Sequence, residues 1–295
     1  MTIRTQSIVI HRTILVWLML LGSFALAQGT YTQIDYPGAL ETYCLGINNT
    51  GKIVGKYSLS GLHGFLLHDQ EFMSIDYPGS ENLTEAYGIN DDDIVVGLTY
   101  VTGFQGFAEN IRSQSFTPII YPGAAATYAT AITSSGIIVG YWSDTVGGSS
   151  RAFQLKDNTF HKIVVPNADQ TLAFGINSLG DVVGFAMSRH AADKSLNFIL
   201  HDGVLRRIQY PTGPFLIVTG INTARDLVGY YDTSEAQVGF LYRSGVLMDI
   251  QFPGSQFTYL YGLNDAEDIV GVYTDGNGLN HGFVWTPPSA PRNGH

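Results

Sequence analysis

The run Gly46-Ile47-Asn48-Asn49-Thr50-Gly51-Lys52-Ile53-Val54-Gly55, with His63-Gly64-Phe65-Leu66 a few residues further on, decides the fold because it is not unique in the chain. Versions of it return five more times. Each is introduced by a proline, and Pro37, Pro78, Pro122, Pro166, Pro211 and Pro253 follow one another at gaps of 41, 44, 44, 45 and 42 residues. Within a copy, short stretches rich in Val, Ile, Phe and Tyr alternate with Gly, Asn and Asp, and helical periodicity is absent. The second copy predicts four strands, Thr84 to Asn90, Ile94 to Tyr100, Gly106 to Asn110 and Phe116 to Tyr121. Four strands in about 40 to 45 residues is the signature of a β-propeller blade.

The stretch before Gly-Ile-Asn is expected to be innermost, because one of its faces carries small residues such as Cys44 and Gly46, Ala86 and Gly88, and Ala129 and Ala131. Strands that converge on an axis must approach closely. The opposite face, with Leu45, Ile47, Tyr87, Ile89, Phe174, Ile176, Tyr261 and Leu263, is expected to fill the space between blades. Asn48, Asn90, Asn177, Asn222 and Asn264 open the turn to the second strand and read as side-chain caps, with Thr133 as a weaker version. The repeats start on an outer strand, Tyr31 to Tyr36, and end on a third strand, His281 to Trp285. The expectation is therefore an all-β, six-bladed β-propeller with four antiparallel strands per blade. Its ring would be closed by pairing the N-terminal strand with the C-terminal strands, which removes free edges. An open β-solenoid is the alternative, with shorter rungs and ends that need caps.

The pattern Gly-Ile-Asn-x-x-Gly-x-Ile-Val-Gly followed by His-Gly-Phe-Leu resembles the bacterial extracellular repeat family called HAF repeats, over residues 31–286. The fourth copy keeps it closely, as Gly175-Ile176-Asn177-Ser178-Leu179-Gly180-Asp181-Val182-Val183-Gly184. Copies two, five and six replace the turn glycine by Asp93, Arg225 and Glu267. The resemblance implies an exported repeat protein and brings no activity or catalytic residues with it.

Residues 1–27 read as a secretory signal peptide: Arg4 and Arg12 lead, an apolar run covers Thr13 to Leu21, and Ala25-Leu26-Ala27 precedes Gln28. The expected organisation is this signal, a propeller over 28–288 and a disordered tail over 289–295, in a secreted protein of the periplasm or exterior. No later apolar run reaches membrane-spanning length, so the mature chain is expected to have no transmembrane segment. Loss of the two arginines would take the formal charge from -10 to -12. That balance argues against nucleic acid, whose phosphates need clustered Lys and Arg. The single cysteine, Cys44, allows no intrachain disulfide and reads as a packing residue rather than a nucleophile.

Chemistry is sought where the copies differ. There is no Walker A, Gly-x-Ser-x-Gly, His-Glu-x-x-His or Cys-x-x-Cys motif, so no cofactor, metal or catalytic residue is assigned. The loops between second and third strands vary most and share a face with the Pro-Gly loops. That face would gather Tyr57, Tyr100, Trp142, Tyr231 and Tyr273 with Asp144, Asp232 and Asp275, a set suited to stacking on sugar rings and bonding their hydroxyls. The alternative for the aromatics is packing between blades. His63 and His281 share one repeat position and join the candidate ligand-binding set, each expected to hydrogen-bond within its own blade. His190 falls in the longest loop, and Asp275-Gly276-Asn277-Gly278 reads as a tight turn rather than a calcium loop. The expected function is a monomeric binding module for a glycan or cell-envelope polymer. The alternatives are a protein-interaction scaffold, or a glycoside hydrolase or polysaccharide lyase using acids on the loop-rich face.

Overall fold

The computed structural model describes residues 29–188, 195–208 and 216–288. The expected signal peptide, His190, Pro211 and the C-terminal tail expected to be disordered lie outside the described residues. Those described hold 24 strands of five to seven residues and no helix. Each repeat forms an antiparallel meander of four, and the innermost strands are Glu41–Ile47, Thr84–Ile89, Ala126–Ile132, Gln170–Ile176, Leu216–Ile221 and Phe257–Leu263. The first and fourth units are separate four-stranded sheets, while single parallel bridges, Ala126 to Phe104 and Gln237 to Phe257, link the second unit to the third and the fifth to the sixth. The last unit takes its outer strand from the other end of the chain: Thr30–Ile34 pairs antiparallel with Asn280–Thr286.

The repeated residues have a common packing reason. Every inner strand carries a β-bulge, placed between Cys44 and Gly46 in the first unit. Across from it lies the glycine of Ile-Val-Gly. A Cβ on Gly55 would overlap the Tyr43 carbonyl oxygen and reach within 2.8 Å of the Phe65 ring, and Gly97, Gly140, Gly184, Gly229 and Gly271 are held in the same way. That space is filled by the third-strand phenylalanines Phe65, Phe107, Phe153, Phe198, Phe240 and Phe283, all fully buried. The glycine of His-Gly-Phe has a different neighbour. A Cβ on Gly282 would lie 2.6 Å from Cys44 Sγ, and one on Gly106 would lie 3.3 Å from Ala129 Cβ. The small inner-strand residue of one unit thus packs on the third strand of the unit before it.

The loops between units add a second lock. Pro37-Gly38 forms a turn in which Gly38 has φ +78° and Ala39 N–H donates to Tyr36 C=O at 3.0 Å, the glycine supplying the positive φ that a type II turn requires. The turn delivers Tyr36 onto Phe65 and Phe72 of the following unit. Tyr77 meets Phe107 and Phe116 likewise, and Tyr121 meets Phe153 and Phe160. A buried threonine accepts the N–H of the loop aromatic, as Thr42 does from Tyr36 at 2.9 Å and Thr127 from Tyr121 at 3.0 Å.

The inner strand does not keep the two constant faces that the sequence reading expected, because the bulge turns Cys44 toward Gly282 of the last unit and Gly46 toward Tyr87 of the second and the axial cavity. Ile47, Ile89, Ile176 and Leu263 pack in the clusters between units, as expected, and also line the axial cavities, whereas Leu45, Tyr87, Phe174 and Tyr261 line a cavity along the central axis instead. Cys44, Ala86, Ala129, Ala173, Val218 and Leu260 are the fully buried residues between units. The glycines do mark close approach: a Cβ on Gly46 would lie 2.6 Å from Tyr87 O, and one on Gly262 would lie 3.3 Å from Leu45 O.

The asparagines cap their turns and also tie neighbouring units together. Asn48 Oδ1 accepts from Thr50 N–H and Lys52 N–H, while its Nδ2 donates to Asn90 C=O at 3.0 Å. Asn90 donates to Thr133 C=O at 3.0 Å, Asn177 to Asn222 C=O at 2.9 Å, Asn222 to Asn264 C=O at 3.5 Å, and Asn264 to Asn48 C=O at 3.2 Å. Thr133 keeps one cap bond, from Ile137 N–H at 3.1 Å, but has no amide to pass on.

Candidate functional site

The aromatics predicted from the second strands occupy equivalent, enclosed stations. Tyr57 stacks on Tyr36 with centroids 3.6 Å apart, Trp142 on Tyr121 at 4.1 Å and Tyr273 on Phe252 at 3.7 Å. Their exposures are 5%, 6% and 7%, which leaves little ring surface for a ligand. A third-strand side chain covers each outer face: His63 at 5.1 Å, Arg151 at 4.9 Å and His281 at 5.2 Å. The histidines then meet carboxylates of their own units, His63 Nδ1 lying 2.7 Å from Asp76 and His281 Nδ1 2.9 Å from Asp35, with Asp275 3.6 Å from His281 Nε2. Asp144 pairs with Arg151 at 2.7 Å, and Tyr231 O–H donates to Asp249 at 3.0 Å. Half-buried Tyr100 meets Phe104 edge-on. The predicted residues therefore repeat around the molecule, one group per unit, rather than converging. Among the described residues no group of three or more His, Cys, Asp or Glu could hold a metal ion.

Convergence occurs one register position away. In the first unit Tyr43 pairs with Lys56, in the third Tyr128 with Tyr141, in the fifth Ile217 with Tyr230, and in the sixth Tyr259 with Val272. Tyr141 meets Phe174, and Tyr230 and Tyr259 meet Tyr261; Phe174 and Tyr261 line a cavity shared by the six inner strands, so these positions stand at the mouth of the axis, at the end away from the Asn48 turns. Tyr128 and Tyr141 stack at 4.5 Å, and Tyr230 meets Tyr259 edge-on at 4.9 Å. All five tyrosines are half-buried.

Charged and amide groups sit among the rings. Glu85 accepts from Tyr87 O–H at 2.5 Å and from Lys56 Nζ at 3.2 Å, and that ammonium lies 4.9 Å from the Tyr43 centroid. Glu41 accepts from Asn280 Nδ2 at 2.7 Å, and Asn280 also donates to Tyr43 Oη at 2.8 Å. Gln237 bonds Tyr259 and donates to Asp232 at 2.9 Å. Burial first, and the carboxylates second, raise the pKa of Tyr43 and Tyr128; burial raises that of Tyr141, with smaller contributions from Tyr128 and Glu85. The phenols therefore stay protonated at neutral pH and remain hydrogen-bond donors. Below the mouth, a cavity of about 90 Å³ lined by Tyr87, Thr130, Phe174, Thr219 and Tyr261 has room for a few waters.

Asp232 is the one predicted residue whose charge acts on this ring, through Tyr230 and Tyr259. Tyr43, Tyr128, Tyr141, Tyr230, Tyr259, Glu85 and Lys56 were missed as site residues. A signal was present for Tyr43, Tyr128 and Tyr259, since three of the six inner strands, Glu41–Ile47, Ala126–Ile132 and Phe257–Leu263, carry tyrosine at their third position.

No protein-family model and no curated protein matches the sequence. Solved structures do match. A triple arginine-to-alanine mutant of AofleA from Arthrobotrys oligospora aligns with TM-score 0.55 at 11% identity, over 88% of this chain and 89% of that one. A mutant of the Aleuria aurantia lectin in complex with Fucα1-6GlcNAc gives 0.51 at 9% identity, over 87% and 100%. A gluconolactonase from Xanthomonas campestris gives 0.51 at 12% identity, over 88% and 98%. At such identities the likeness concerns the fold alone, and with the four-stranded repeats it makes this chain a β-propeller.

Proposed function

We propose that this chain is an exported glycan-binding protein, a six-bladed propeller closed into a ring, whose ligand sits at the tyrosine-lined axial mouth. The observation that carries the reading is the convergence of Tyr43, Tyr128, Tyr141, Tyr230 and Tyr259 on one opening furnished with carboxylates and amides. Aromatic faces offer stacking surface to the C–H faces of sugar rings, and fixed hydrogen-bonding groups orient their hydroxyls. Closure of the ring is supported by the pairing of Thr30–Ile34 with Asn280–Thr286 and by the Asn264 to Asn48 hydrogen bond. A closed ring leaves no free strand edge at its ends, which favours a monomer. Export is supported by the pattern of residues 1–27 and by the HAF-type repeat. The Aleuria aurantia lectin mutant, solved in complex with Fucα1-6GlcNAc, accords with the ligand class.

Titration calorimetry against a panel of oligosaccharides, with chromatography of each mixture for products, tests this. Saturable binding without shortened products, lost in Tyr128→Ala and Tyr230→Ala while the melting temperature is kept, is the expected result. Binding untouched by both substitutions refutes the site. No binding across the panel refutes the glycan reading.

A further inference from the structure

We infer that the axial mouth selects an amine-bearing glycan, one with unacetylated amino sugars, over neutral and acidic ones; this deepens the reading above and rests on it. Glu41 accepts from the Asn280 that donates to Tyr43, Glu85 accepts from Tyr87, and Asp232 accepts from the Gln237 that bonds Tyr259; the ammonium bonded among them is that of Lys56. Glu85 is 7% exposed and uses only one of its oxygens. Its Oε2 takes both Lys56 Nζ and Tyr87 O–H, while Oε1 accepts no hydrogen bond from any described residue and is not sealed from solvent. A carboxylate oxygen held this deep without a donor is a place for one from outside.

Lys56 displays the arrangement an incoming ammonium would copy, beside a carboxylate and 4.9 Å from a tyrosine centroid. Cation–π attraction adds to charge pairing where water is partly excluded. Tyr128 and Tyr141, stacked on each other at 4.5 Å, offer the second pair of rings. A uronic acid would instead bring its carboxylate against Glu85 and Glu41, and an N-acetylated sugar has no charge to offer.

The test is calorimetry of the purified protein with three tetrasaccharides: β-1,4-linked glucosamine, its fully N-acetylated counterpart, and tetragalacturonate. The expected result is at least tenfold tighter binding of the amine than of either other probe, with that preference reduced to under threefold in Glu85→Gln. Acetylating the ligand changes no residue, so this arm stands even where Glu85→Gln fails to fold, and Glu41→Gln then replaces it. Equal affinity for the amine and its acetylated form overturns the inference and leaves the glycan reading in place. Failure of all three probes overturns the inference, and the wider panel then decides the glycan reading separately.

Discussion

Thr133→Asn should make the protein more stable. The other five units carry asparagine at this position, and in each the amide donates to a carbonyl of the next unit; only here is the donor missing. The acceptor awaiting it is Asn177 C=O, which receives Gly180 N–H and keeps its second lone pair. One buried neutral hydrogen bond contributes about 1 kcal/mol net. Asparagine would also accept a second turn N–H, as Asn48 does from Thr50 and Lys52, where Thr133 accepts only Ile137 N–H. Against this stands the lost Thr133 to Ser135 hydroxyl contact at 2.9 Å, which water replaces at the surface. The balance is a gain of about 1 to 1.5 kcal/mol. For a chain of this size that is about 2–4 °C in melting temperature per kcal/mol. Urea unfolding should show a higher midpoint at unchanged slope. The mirror change, Asn90→Thr, removes the bond to Thr133 C=O and should cost about 1 to 3 kcal/mol. If Thr133→Asn leaves stability unchanged or lowers it while Asn90→Thr is neutral, the interunit amide bonds contribute nothing and the reasoning fails.

Gly140→Ala forces a methyl into the Tyr128 carbonyl oxygen and to 3.1 Å from the Phe153 ring, so a loss of about 3 kcal/mol or more is expected, and a loss under about 1 kcal/mol in urea melts would contradict the bulge account. Glu109 holds a buried Oε2 without a partner where other copies carry Leu67, Leu155, Leu200, Tyr242 and Trp285; burial first, then Asp76, raises its pKa to about 7. Because the folded state then binds the proton more tightly than the unfolded one, stability should fall as pH rises from the ordinary glutamate range to about 7. Glu109→Leu should remove that slope and melt higher than wild type at pH 8 by calorimetry; an unchanged slope would show that another group is responsible. Asp181 is fully buried, and although burial raises its pKa, hydrogen bonds from Arg225, Asn177 and His201 together hold it below the usual range. Its stabilisation is present above the ordinary aspartate pKa and is lost as pH falls through the lowered one, so Asp181→Asn should be destabilising at pH 7 and flatten the acid limb below pH 4. Equal acid limbs in the two proteins would rule that out.

The repeat in the sequence determined a great deal. A proline at a period of 41 to 45 residues, with versions of Gly-Ile-Asn, Ile-Val-Gly and His-Gly-Phe between, was enough to read four strands per copy and no helix, because turn residues and strand formers act locally. The asparagine caps were legible for the same reason, as Asn48 and Thr50 are two residues apart. What tertiary structure decided is which way each face looks. Alternation alone puts Tyr43, Leu45 and Ile47 on one side and Cys44 and Gly46 on the other, but the bulge breaks it, so that Cys44 meets Gly282 of the last unit and Gly46 meets Tyr87 of the second. The sequence marks neither the bulge nor the side that meets the axis, because both faces of a blade are covered and hydropathy no longer separates inside from outside. That is why Tyr57, Trp142 and Tyr273 drew attention while Tyr43, Tyr141 and Tyr230 did not, each a register step or one pairing away. The donation from Asn264 to Asn48 spans 216 residues and joins the last repeat to the first; the sequence supplied the amide, and the packing of distant strands supplied its partner.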